Sequence, residues 1–139
     1  MSTAESEKSE IVQLLLDAAE RAQDAVTATL QEFDVPVSVA PAFRLMATSE
    51  EPVTPRDLAA ALGRDPSTAS LIADKLEQAG LIVRKPHPSD GRKRVLALTD
   101  RGKDLWGAMR DRLHATAILD RLTASERRSL RELLARMQP

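Results

Sequence analysis

Between Arg84 and Lys103 the sequence collects Arg84, Lys85, Arg92, Lys93, Arg94, Arg101 and Lys103 against two carboxylates, Asp90 and Asp100. Cations at this density attract a polyanion. The other end of the chain is acidic: before Pro36, eight carboxylates stand against Lys8 and Arg21. One end is thus suited to a polyanion and the other is not, an asymmetry hidden in a net charge of −1. A solvated face without a partner is the competing explanation for such a cluster. No catalytic set accompanies it: the sequence has no glycine-rich phosphate loop, metalloprotease motif or nucleophile elbow. With no cysteine, disulfides, thiol nucleophiles and thiolate metal sites are excluded. His87 and His114 stand alone, outside any metal-ligand spacing. These features predict a binding protein that is not an enzyme and needs no metal or cofactor.

The elements that must position the cations follow from local chemistry. Thr54-Pro55-Arg56-Asp57 places a hydroxyl at a helix N-cap, proline at the first helical position and a carboxylate three residues after the cap. The helix it opens carries Leu58, Ala59 and Leu62 on one stripe and ends at Gly63, which can adopt the left-handed conformation. Asp65-Pro66 repeats the signal and opens a second helix over 65–79, with Ala69, Ile72, Ala73 and Leu76 as its buried stripe. Ala59 and Gly63 are small where two such helices must cross closely. Leu81-Ile82-Val83 and Val95-Leu96-Ala97-Leu98 then read as a β-hairpin, its polar tip holding Pro86, Pro88 and the turn-forming Asp90-Gly91. Two short helices, a tight turn and a charged hairpin make a winged helix-turn-helix. Val53 can add one short strand beside the wing.

Long amphipathic helices flank this unit. From about Lys8, apolar residues including Ile11, Leu14, Leu15, Leu30 and Phe33 recur at spacings of three and four, and Pro36 ends the run. Residues 39–48 form a short helix. Thr99 caps another, with Gly102, Leu105, Trp106, Met109, Leu113 and Ala117 on its stripe. Thr123 and Glu126 make a capping box for a last helix bearing Leu130, Leu133, Leu134 and Met137. Aromatic residues are few, which suits a mainly α fold with a small β-wing (α+β). Residues 1–7 have nothing to bury and are expected to be disordered. No segment approaches the roughly 20 apolar residues of a membrane span, and no signal peptide is evident, so a soluble, cytoplasmic protein without membrane contact is expected.

Leu58-Ala59 through Leu76, Ala79-Gly80-Leu81-Ile82, the wing His87-Pro88-Ser89-Asp90-Gly91-Arg92-Lys93-Arg94 and Leu98-Thr99-Asp100-Arg101-Gly102 together resemble a MarR-type transcriptional regulator. The likeness runs from about Lys8 to Met137. It implies a homodimeric regulator, a repressor in our reading, with dimerisation helices over 8–36 and 99–139 flanking a DNA-binding region over 37–98. Ile11, Leu14, Leu15, Leu113, Leu130, Leu133, Leu134 and Met137 are the expected dimerisation residues. The family arrangement places helix 65–79 in the major groove and wing 84–94 in the minor groove of double-stranded DNA. A two-fold dimer of this kind reads a palindromic operator.

By this resemblance Arg92 enters the minor groove and Asp90 braces the tip, or serves only as a turn residue. Arg56, Arg64, Pro66, Ser67, Thr68, Ser70, Leu71, Lys75, Arg84, Lys85, His87, Lys93 and Arg94 complete the expected DNA-binding set. Leu71 stands where relatives commonly carry arginine, so a bidentate contact to guanine is lost there, although a leucine can touch a thymine methyl. Asp74 would repel phosphate and is expected to pair with a nearby cation. Many family members release DNA on binding a small molecule, and Phe43, Met46, Trp106 and Met109 are the candidate effector pocket, core packing being the competing assignment for each. The alternative function is a winged-helix protein-interaction or antirepressor module.

Overall fold

Three helix caps expected from the sequence form with the bonds that define them in the computed structural model, which describes residues 2–139. The elements are α1 (Thr3–Glu32), a 3-10 turn (Val37–Val39), α2 (Ala40–Thr48), α3 (Pro55–Leu62), α4 (Pro66–Gln78), β1 (Ile82–Pro86), β2 (Arg94–Leu98), α5 (Asp100–Ala115) and α6 (Ala124–Arg136). Thr54 and Asp57 cap α3 reciprocally, Thr123 and Glu126 do the same for α6, and Asp65 accepts from the Thr68 amide to start α4. Such caps satisfy amides that a helix cannot bond internally, each stabilising by about 1 kcal/mol.

The chain divides into two compact units, one comprising residues up to Val26 with Asp111–Pro139 and the other Thr27–Arg110. The second, winged unit holds the core: Leu30, Phe43, Leu58, Leu76, Leu81, Ile82 and Leu105 are fully buried. The last turns of α1 and most of α5 bury their stripes in it through Leu30, Leu105 and Met109. Strands β1 and β2 pair antiparallel, Ile82 opposite Leu98 and Pro86 opposite Arg94. Val53 adds the expected extra bridge, its carbonyl accepting from the Leu96 amide at 2.8 Å.

The first unit is two-faced. Ile11, Leu14, Leu133, Leu134 and Met137 are exposed, with Leu15, Leu113 and Leu130 half-buried. Ile11, Leu15, Leu130, Leu133, Leu134 and Met137 line an open apolar groove of about 570 Å³ between α1 and α6.

Several expectations need correction. Residues 3–7, expected to be disordered, are helical, because Ser2 and Glu5 form a reciprocal cap: the Ser2 amide donates to Glu5 Oε2 and the Glu5 amide to Ser2 Oγ. Met1 lies outside the described residues. Helix α1 stops at Glu32, before Pro36, where Asp34 turns to a φ of 55° and the Val35 amide closes on the Leu30 carbonyl. Gly63 is not needed for close packing: a Cβ there would meet nothing within 4 Å, and what calls for glycine is its φ of +61°. Ile72 is half-buried, not fully buried like Ala69, Ala73 and Leu76.

Candidate nucleic-acid interface

Helix α4 buries Ala69, Ala73 and Leu76 and turns a different set outward. Pro66, Ser67, Ser70, Leu71 and Lys75 are exposed and Thr68 is half-buried. The Asp65 carboxyl at its start is held below the usual carboxylate range by hydrogen bonds from Thr68. Arg64, in the turn ahead of it, and Arg56, in the first turn of α3, are exposed as well.

The wing tip is ordered by its own backbone. The His87 amide donates to the Lys93 carbonyl at 2.9 Å and the Lys93 amide to the Asp90 carbonyl at 3.1 Å. The Asp90 carboxylate accepts from the Arg92 amide at 3.1 Å, a bond that a turn residue and a brace of the tip make alike. His87 Nδ1 accepts from the Ser89 amide at 3.1 Å, so this ring nitrogen faces inward to the turn. Lys85, Arg92, Lys93 and Arg94 are all exposed. Arg56, Asp57, His87, Lys93 and Arg94 line an open cleft of about 520 Å³ between the start of α3 and the wing. Hydrogen bonds from Thr54, with smaller contributions from His87 and Lys93, hold the Asp57 carboxyl below its ordinary value.

Arg84, one of the expected DNA-binding residues, is paired within the chain. Its guanidinium forks to Asp74 Oδ1 at 2.8 Å and to Glu77 Oε1 at 2.9 Å. Asp74 thus has the intramolecular partner expected for it, and Arg84 ties β1 to α4. Glu77 went unread in the sequence, although it lies one helical step from Asp74 on the same face. Half-exposed pairs of this kind add little stability, under about 1 kcal/mol, so the fork acts chiefly on position and charge. Arg101 is likewise turned inward: it donates to the Ala79 and Phe33 carbonyls and stacks over the Phe33 ring at 5.4 Å.

The Leu98-Thr99-x-x-Gly102 motif has a packing cause. Thr99 donates through its amide to the Leu81 carbonyl and through its hydroxyl to the Gly80 carbonyl, and its hydroxyl also accepts from the Gly102 amide. A Cβ at Gly102 would lie 2.3 Å from the Leu81 carbonyl oxygen. Helix α5 can therefore start directly against the strand entering the wing only if residue 102 is glycine.

Of the candidate effector residues, Phe43, Met46 and Met109 are buried, and the Phe43 ring meets half-buried Trp106 edge-on at 6.3 Å. These four fill the core of the winged unit as packed side chains. Among the described residues no cluster of His, Cys, Asp and Glu is placed to hold a metal ion, and no helix is long and apolar enough to cross a membrane.

Residues 45–93 match the model of the MarR family. No curated protein matches the chain. Among solved structures, CouR from Rhodococcus jostii RHA1 bound to p-coumaroyl-CoA is 28% identical, with a TM-score of 0.68 over 89% of this chain and 88% of that one. A MarR-family transcriptional regulator from Rhodococcus sp. RHA1 is 27% identical, with a TM-score of 0.66 over 91% of this chain and 92% of that one. The Mycobacterium tuberculosis MarR-family protein Rv2887, solved in complex with DNA, shares the fold at 23% identity, with a TM-score of 0.62 over 91% of this chain and 96% of that one. The family match lies on the helix-turn-helix and wing, and the likeness of fold extends through the flanking helices. Over residues 45–93 the chain is thus similar to the MarR family, and along most of its length it shares the fold of solved MarR-family transcriptional regulators.

Proposed function

We propose that two copies of this chain pair through their terminal helices to form a cytoplasmic repressor that reads a palindromic DNA operator, with α4 in the major groove and the wing in the minor groove. The observation that carries this reading is the wing tip: Arg92, Lys93 and Arg94 stand exposed on a loop whose shape is fixed by Asp90 and by the His87–Lys93 backbone bond. A preformed cationic tip suits the negative potential of a narrow minor groove. Lys85, Arg56, Arg64, Lys75 and His87 supply phosphate or groove contacts, which fix position more than sequence. Ser67, Thr68 and Ser70 offer hydroxyls to bases or phosphates.

Pairing is supported by the apolar groove between α1 and α6 and by the exposed Ile11, Leu14, Leu133 and Met137 around it. A two-fold pair spaces its two reading helices about one DNA turn apart, roughly 34 Å, which is why the site is a palindrome. Release by a small-molecule effector belongs to the same reading, supported by the complex of the 28% identical CouR with p-coumaroyl-CoA. The packed cluster of Phe43, Met46, Trp106 and Met109 must loosen if the effector enters there.

The test is a DNA titration of wild type and Arg92→Ala at several salt concentrations. Loss of a groove cation lowers affinity about tenfold and shallows the salt slope by about one unit. Unchanged affinity and slope contradict the role of the wing. Failure to bind any duplex, with a stable protein partner recovered instead, would favour an interaction or antirepressor module, a reading to which the absence of arginine from α4 lends some support.

A further inference from the structure

Helix α4 presents one large apolar side chain where the rest of its outward face is polar: Leu71 is 62% exposed, with Ser67 one turn before it and Ser70 beside it. Asp74, one turn further on, would put a carboxylate on the same side, but Arg84 holds it at 2.8 Å and holds Glu77 at 2.9 Å. What remains facing outward around Leu71 is hydroxyls and Lys75, with Asp74 and Glu77 held by Arg84.

We propose that Leu71 is a specificity-determining residue that reads the C5-methyl of a thymine in each half-site. The inference rests on the DNA-binding role proposed above and names the base which that role selects. The chemistry of the major-groove edges makes the choice. Guanine, cytosine and adenine present acceptors or an amino group that leucine cannot satisfy, and covering these without a partner is costly. Thymine alone offers an apolar group there. The serine hydroxyls on either side remain free to bond the neighbouring base edges or phosphates.

The experiment selects a bound duplex from a random pool, then replaces each thymine in turn by deoxyuridine, which removes only the methyl. For wild type, one thymine per half-site should be sensitive, with affinity falling about fourfold per half-site, the effect of withdrawing one buried methyl group. Leu71→Ala should bind the thymine and deoxyuridine duplexes equally. Leu71→Arg should shift the preference at that base pair from thymine to guanine in a repeated selection. Leu71 is exposed, so both variants are expected to fold, and thermal unfolding checks this. Wild-type affinity indifferent to deoxyuridine at every thymine, or undiminished discrimination in Leu71→Ala, overturns the inference while leaving DNA binding intact. If wild type enriches no duplex at all, the DNA-binding reading and this inference fail together.

Discussion

The two compact units treat their apolar side chains in opposite ways. The winged unit closes on itself: Phe43, Leu58, Leu76, Leu81, Ile82 and Leu105 are fully buried, and Val37 and Leu71 are the large apolar side chains it leaves exposed. The terminal-helix unit buries no residue of α6 and leaves Ile11, Leu14, Leu133 and Met137 largely in the open. A closed core needs no partner to be stable, whereas contiguous exposed apolar side chains along two helices mark an interaction surface. The winged unit is thus finished within one chain, and the terminal helices are finished, in the proposed reading, only by a second copy.

The largest effects should come from breaking the open region. Leu133→Asp combined with Leu134→Asp should convert the protein from dimer to monomer in a sizing experiment and lower operator affinity at least a hundredfold, since a monomer gains only one half-site. A double variant that remains dimeric would place the pairing surface elsewhere. Next in size is Gly102→Ala in the closed region. Its new Cβ meets the Leu81 carbonyl oxygen at 2.3 Å, and relieving this should cost about 2 kcal/mol in denaturant unfolding with dimerisation of the folded protein intact. Gly63→Ala should cost less, about 1 kcal/mol, because it strains φ without meeting any atom.

The glycines also show how much was legible. The caps at Thr54, Asp65 and Thr123 were readable because a cap is a local event within four residues, and all three form as expected. The turn at Asp90 is local in the same way. The reason for Gly102 was not, since its constraint is a carbonyl on Leu81, far away in sequence. Arg84 and Arg101 belong to the basic cluster by position but pair with Asp74, Glu77 and the Phe33 and Ala79 carbonyls. A cation's availability depends on which acceptors the fold brings within reach, and composition does not carry that information. Helix α1 shows the same limit: its stripe was visible, but not that its last turns belong to the winged core while its first turns stay open.

Smaller effects sharpen the comparison at the helix starts. Thr54→Ala removes half of a capping box and should cost about 1 kcal/mol, seen in the winged unit alone. Acid should loosen both regions through the same device. Hydrogen bonds from Thr54 to Asp57, from Thr68 to Asp65 and from Thr123 to Glu126 hold these carboxyls below their ordinary values. A carboxyl depressed in the folded state stabilises above its unfolded pKa, near 4, and loses that contribution as pH falls through the folded value. Helicity followed by circular dichroism should therefore be flat from pH 7 to about 5 and decline below about 4, with Asp57→Asn weakening the decline.

In the proposed reading an open helical region and a closed, cation-tipped reader combine as a symmetric pair on DNA. Selection of bound duplexes from a random pool tests this most directly. An enriched palindrome with half-sites one helical turn apart is expected, bound by two copies of the chain with steep salt dependence. An enriched site without two-fold symmetry, occupied by a single copy, would contradict it.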